Sequence, residues 1–167
     1  MAGGVTVKRD LWRAIKANVR LAAGSYVAVG FPSEKDKPHK GRKGMEGMTN
    51  AQVAIANEFG SAPGVRPVVP ARPFMQKTVD RERNNAKEAM VELGKQIARG
   101  EMRTSTALNR MGKQMAGEVK RSFTVEEFAP NSPATKAMKR GSSRPLIDTG
   151  NLRQSVTWKV RMKGAKA

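Results

Sequence analysis

The chain has 167 residues, 38% hydrophobic and 28% charged, with no Cys, and its 32 Lys and Arg exceed its 14 Asp and Glu to give a formal charge of +18. That length suits one domain with one sizeable core, and the lack of Cys excludes disulfides, thiolate metal sites and thiol redox chemistry, as fits a reducing compartment. The opening MAGGVTVKRDLWRAIK has no signal-peptide apolar region and no later run approaches the roughly 20 apolar residues that span a bilayer, so a soluble chain is expected, and its charge points to nucleic acid or an acidic protein surface as partner.

Val7, Leu11, Ile15, Val19 and Ala22 recur at helical spacing, with Lys8, Arg9, Arg13, Lys16 and Arg20 mostly off that stripe. An amphipathic helix from Val7 to Ala23, ended by Gly24, is predicted. Tyr26, Val27, Val29 and Phe31 then mark a strand over 25–31 stopped by Pro32. Residues 33–50, SEKDKPHKGRKGMEGMTN, are basic, glycine-containing and nearly free of apolar anchors, and read as a long mobile loop.

Thr49 or Asn50 can cap a short helix through Ala51, Val53, Ala54 and Ala56, with Gly60 supplying a left-handed turn at its end. Pro73 suits the first turn of the next helix, where its missing N–H is no loss. There Val79, Ala86, Met90, Leu93 and Ile97 have the rhythm of a helix-packing seam, against a solvated face that includes Asp80, Arg81, Glu82 and Arg83. After Gly100, a cap at Thr104 or Ser105 opens a second long helix with a stripe of Leu108, Met111, Met115, Val119 and Ser122 or Phe123. Residues 129–145 read as another mobile basic loop. Asp148 or Thr149 can then cap one turn through Asn151 and Leu152, before Val156, Trp158, Val160 and Met162 alternate as a closing strand. The last residues, 163–167, read as a frayed basic tail. The predicted fold is α+β: a small, mainly antiparallel sheet joining strands from opposite ends of the chain, packed with two long antiparallel helices and shorter ones, with long basic loops.

No convergent reactive set emerges. The single His, His39, sits in a basic loop without a second His or a Cys, so a metal or general-base role has no support. Glu58 and Asp148 are the most conspicuous carboxylates, but both fall at helix ends, where structural roles are common. GRKGMEG has the composition of a phosphate cradle without the GxxxxGK[ST] spacing. No cofactor is expected. Lys35, Lys37, Lys40, Arg42, Lys43, Lys136, Lys139 and Arg140 are candidate contacts for a partner or polyanion. With few aromatics among them, nucleic acid would be met through its backbone.

The blocks VAIANEFG, VPARPFM, ALNRMGKQMAGEVKRSF, PNSPATKAMKRG and PLIDTGNLRQSVTWKV, in that order, resemble the tail-completion or head-tail joining proteins of tailed bacteriophages, over about residues 25 to 162. The resemblance implies a non-enzymatic structural virion protein forming a ring, usually six-fold, at the phage neck. Its partners would be its own copies, a head connector or stopper protein, and a tail tube or tail terminator protein, with nonspecific contact to packaged DNA and no membrane. It would reside in the virion, and in the host cytoplasm during assembly. The alternative is a basic nucleic-acid-binding protein that contacts the phosphate backbone. In the ring reading, Glu58, Phe59, Gly60, Arg72, Pro73 and Phe74 form a structural corner between a short and a long helix. Phe59 and Phe74 are its expected apolar anchors, and Arg72 is available to pair with a carboxylate such as Glu58. Asp148, Thr149, Gly150, Leu152 and Trp158 form the closing segment.

Overall fold

The computed structural model describes residues 3–33, 47–64, 68–139 and 143–164, with side chains from Leu11 onward in the first helix. Helix α1 (Gly3–Ala22) leads to strand β1 (Tyr26–Gly30), followed by α2 (Asn50–Phe59), α3 (Phe74–Ala98), α4 (Thr104–Val125), α5 (Pro133–Met138), α6 (Asn151–Ser155) and strand β2 (Thr157–Arg161). The fold is α+β, as the sequence predicts. β1 and β2 pair antiparallel with Tyr26 opposite Arg161 and Gly30 opposite Thr157, joining the two ends of the chain. Residues 34–46, which hold most of the expected first loop, and 165–167 of the expected tail lie outside the described residues.

The central packing unit is the antiparallel pair α3 and α4. Phe74 at the start of α3 and Phe123 near the end of α4 are fully buried, with ring centroids 4.7 Å apart at 50°, a tilted geometry that suits the quadrupoles of the two rings. Around them Val53, Ala54, Ala116, Val119, Leu152 and Val156 complete one buried apolar cluster. Two polar residues lie inside the helix interface without cost, because each bonds within its own helix. Thr78 Oγ1 donates to the Phe74 carbonyl and Ser122 Oγ to that of Val119, both at 2.7 Å.

The inner face of α4 differs from the predicted stripe. Met111, Val119, Ser122 and Phe123 are buried as expected, whereas Leu108 and Met115 are half-buried and the remaining buried positions are Thr104, Ala107, Gly112 and Ala116. These small residues let other elements approach the helix axis. A Cβ on Gly112 would lie 2.4 Å from Trp158 Cδ1 and 2.7 Å from Val27 Cγ2, so both strands rest on that one bare position. The Trp158 indole is half-buried there, and its Nε1–H donates to Asn109 Oδ1 at 3.0 Å.

On α3 the seam is rotated from the predicted one. Phe74, Thr78, Glu82 and Ile97 are buried and Leu93 half-buried, while Val79 and Met90 are exposed. An i, i+4 stripe starting at Phe74 replaces the one read from the large apolar residues. Glu82, expected on the solvated face, is buried because Arg81 bridges the helices. The Arg81 guanidinium donates to Glu82 at 2.9 Å and to Glu118 of α4 at 3.2 Å, and it also pairs with Glu126 just past α4. Hydrogen bonds from Asn85 and then from Arg81 hold the Glu82 carboxyl below the usual carboxylate range.

Helix α1 is fastened by polar contacts. Asn18 Oδ1 accepts the backbone N–H of Thr104 at 2.9 Å and the Thr104 hydroxyl at 2.8 Å, and Asn18 Nδ2 donates to the Met102 carbonyl at 2.8 Å. Asn18 thus caps α4 from another helix, in place of a local Thr104 or Ser105 side-chain cap. Ile15 packs at Gly100, where an added Cβ would sit 2.8 Å from Ile15 Cδ1. Leu11 and Val19 of the predicted stripe are exposed, and the side chain of Val7 lies outside those described.

Two further expectations change. The 129–145 segment contains helix α5, capped by Ser132 Oγ on Thr135 N at 3.2 Å. The tail is tied at its start, where Lys163 N donates to Ser25 Oγ at 2.9 Å.

Gly112→Ala should lower stability by about 1–3 kcal/mol, since the methyl must displace Trp158 and Val27 from a packed layer. Urea denaturation measures it, and an unchanged midpoint would show that the strands can shift freely on α4. The lowered pKa of Glu82 sets a pH dependence. Its contribution is fully present above the unfolded carboxylate pKa of about 4.3 and is lost as pH falls through the lower folded value. Melting the parent and Glu82→Gln across the acid range should show a shallower acid loss in the variant.

Candidate functional site

The corner between α2 and α3 is built by backbone closure and by two charged side chains. Thr49 opens α2 with a reciprocal capping box, its Oγ1 accepting from Gln52 N and its own N–H donating to Gln52 Oε1 at 2.9 Å. At the other end Gly60 has φ 76° and ψ −172°, a region essentially reserved for glycine. It is not the left-handed turn expected from the sequence. A Cβ there would lie 2.8 Å from the Val69 carbonyl oxygen and 2.9 Å from Ala71 N, so the returning chain occupies the space of a side chain. Ser61 N donates to the Val69 carbonyl at 2.9 Å, Val69 N to Ser61 Oγ at 2.8 Å, and Arg72 N to the Asn57 carbonyl at 2.6 Å.

Glu58 and Arg72 do not pair with each other. The Glu58 carboxylate accepts the backbone N–H groups of Met75 at 2.9 Å and Gln76 at 2.8 Å. It therefore caps α3 across the corner, satisfying two donors and placing negative charge at the positive end of the helix dipole. Pro73 stands at the N-cap position just outside α3, where it has no side-chain acceptor to offer, and Glu58 supplies what is missing. Phe74 is the expected anchor, fully buried, but Phe59 is 76% exposed and is not the second buried anchor expected from the sequence.

Arg72 is 6% exposed. Its Nε donates to the Ala129 carbonyl at 2.8 Å, Nη1 to Asn57 Oδ1 at 3.3 Å, and Nη2 to the Pro130 carbonyl and to Asn131 Oδ1 at 3.3 and 3.2 Å. Among the described residues no carboxylate lies within ion-pair distance of it. Burial lowers its pKa from the ordinary guanidinium value. Four oxygen acceptors replace water around a cation that stays protonated. Arg72 is thus a staple between the corner and the chain after α4, and Asn131 extends the link by donating to the Ser143 carbonyl at 3.1 Å.

The closing segment returns to the same place. Asn151 of α6 donates from Nδ2 to Asn50 Oδ1 of α2 at 3.2 Å, and Leu152 is buried in the core. Gly150, left-handed at φ 77° and ψ 0°, occupies the N-cap position of α6 with no side-chain cap. Thr149 Oγ1 accepts from Asn151 N at 3.4 Å, the local acceptor expected of Asp148 or Thr149 at the start of this turn. Between corner and closing segment lies a cleft of about 320 Å³, lined by Met48, Val53, Asn57, Arg72, Asp148 and Leu152 among others. Its walls offer apolar surface and hydrogen-bonding groups. Among the described residues no group of three or more His, Cys, Asp or Glu could hold a metal ion.

The basic candidates divide. Lys136 is exposed on α5, whereas Lys139 bends back to donate to the carbonyls of Arg144 and Ile147 and serves the local fold. Lys35, Lys37, Lys40, Arg42, Lys43, Arg140 and the single His39 lie outside the described residues. Asn18, Asn57 and Asn131 were missed by sequence reading, since a lone Asn carries no periodic signal.

Arg72→Lys should lower stability by about 2–3 kcal/mol, because an ammonium cannot reproduce the planar fork that serves four oxygens. Glu58→Ala should cost about 1–2 kcal/mol as a lost helix cap, with Glu58→Gln in between. Denaturation midpoints of the three variants measure this, and parental stability for Arg72→Lys would remove the staple.

Comparison of the chain with family models, with curated proteins and with solved structures finds no match in any of the three.

Proposed function

We propose that the chain is a structural virion protein, a subunit of a six-fold ring at the neck of a tailed phage, completing the tail and joining it to the head connector. One observation carries the reading: the sequence blocks that resemble this class meet around one corner whose charged groups are engaged in holding the backbone. Glu58 caps a helix and Arg72 binds carbonyl and amide oxygens. A subunit whose task is to keep fixed angles between its helices while it contacts neighbours uses charge in this way. The neighbours are its own copies, a connector or stopper protein on the head side, and a tail tube or terminator protein on the other. The formal +18 supports attraction to acidic neighbours and nonspecific contact with packaged DNA.

The same charge favours a second reading, a nucleic-acid-binding protein that holds the phosphate backbone. The two differ in where the protein is found and in how it binds duplex DNA. Labelling the protein in tailed particles and imaging them by electron microscopy should place the label at the neck with rotational symmetry. The isolated chain should bind duplex DNA only weakly at physiological salt. Particles without the label, together with tight duplex binding that falls steeply with salt, would replace the first reading by the second.

A further inference from the structure

Two apolar surfaces lie open at opposite ends of the molecule. One is a groove of about 480 Å³ between β1, α2 and the start of α3, floored by Phe74, Ala54 and Met75. At its rim Ile55, Phe59 and Val79 are 59%, 76% and 47% exposed. The other is on α1, where Leu11 and Trp12 are 58% and 57% exposed. Leu11 falls in line with the half-buried Ile15, Asn18 and Ala22, yet it stands a turn beyond Ile15, the contact at Gly100. The apolar end of α1 therefore overhangs the packed body.

The charges of the two surfaces are opposite. Among the described residues the groove is lined by the carboxylate of Glu58 and by no Lys or Arg. Residues 11–22 of α1 carry Arg13, Lys16 and Arg20 and no acid, with Lys16 Nζ 5.0 Å over the Trp12 ring. One chain cannot join its own two surfaces. Asn18 and Ile15 fasten α1 at the C-terminal end of α3, and the groove is at the N-terminal end, about 30 Å away at the helical rise per residue.

We propose that the overhanging end of α1, led by Leu11 and Trp12, docks into this groove of a second copy of the chain. The contact is head-to-tail, because each copy presents one of each surface at opposite ends, and such contacts close into rings or run on as filaments. The inference takes its setting from the ring reading above and names the surfaces through which the copies meet. Net charge opposes it in the free protein, so it forms as ionic strength rises.

Sedimentation of the full chain and of Trp12→Ser and Phe59→Ser variants tests it. Both side chains are exposed, so thermal melts should match the parent; should either fail to fold, Leu11→Ser or Ile55→Ser takes its place. At low salt all are expected to be monomers. At high salt the parent should grow beyond the dimer with concentration, and each variant should need at least tenfold more protein. Mixing the two variants should restore a 1:1 dimer and nothing larger, since one intact α1 end meets one intact groove. A parent that stays monomeric or stops at a dimer, a variant that associates like the parent, or a mixture without the dimer would overturn the proposal. Neck labelling of particles is independent of these outcomes, so a failed contact and a failed ring reading are told apart.

Discussion

The first turn of α3 is the point on which the other elements depend. Phe74 lies fully buried against Phe123, so the helix must start deep in the structure, where unsatisfied N–H groups are expensive. Pro73 brings the chain there through a tight turn in which Phe74 N donates to the Arg72 carbonyl at 2.8 Å, and Glu58 from the preceding helix satisfies Met75 and Gln76. Arg72, next in line, draws in the carbonyls of Ala129 and Pro130 and with them the chain that leads to the closing strand. One corner thereby sets the directions of α2, α3 and the segment after α4 together.

The second constraint is closeness of approach to α4. Gly112 admits Val27 and Trp158, and Ala116 and Ser122 lie fully inside. A helix of larger residues would hold the strands and α3 further out and leave voids between them. A two-stranded sheet has little stability alone. Here it depends on its footing over that glycine and on the indole bond to Asn109.

Charge is unevenly used. Glu58, Glu82, Glu118 and Glu126 are engaged in caps and in the Arg81 cluster, so part of a small acidic complement is directed inward. Arg81 gains from this, its pKa raised first by the hydrogen bond to Glu82. Among the described residues, what faces outward is more basic than the composition alone implies, and no Lys or Arg lines the apolar groove beside Glu58. These are the physical terms behind a reading in which acidic neighbours and further copies complete the structure.

The sequence by itself determined the two long helices, the shorter helices other than α5, the order of these elements and the pairing of strands from the two ends, because periodicity, caps and Pro or Gly punctuation are local signals. It also marked Phe74, Leu152 and Trp158 for packing. The tertiary structure decided what those signals do not encode. Phe59 and Phe74 look alike in sequence, but only Phe74 faces α4. Val79 and Met90 have the size of seam residues, yet the orientation imposed by the Glu58 cap and the Phe74 anchor turns them outward and Glu82 inward. Glu58 finds backbone donors 17 and 18 residues away, and Arg72 finds carbonyls 57 and 58 residues away. Such partners are chosen by which buried polar groups lack water once the helices have packed, and that is known only when the distant segments have been brought together.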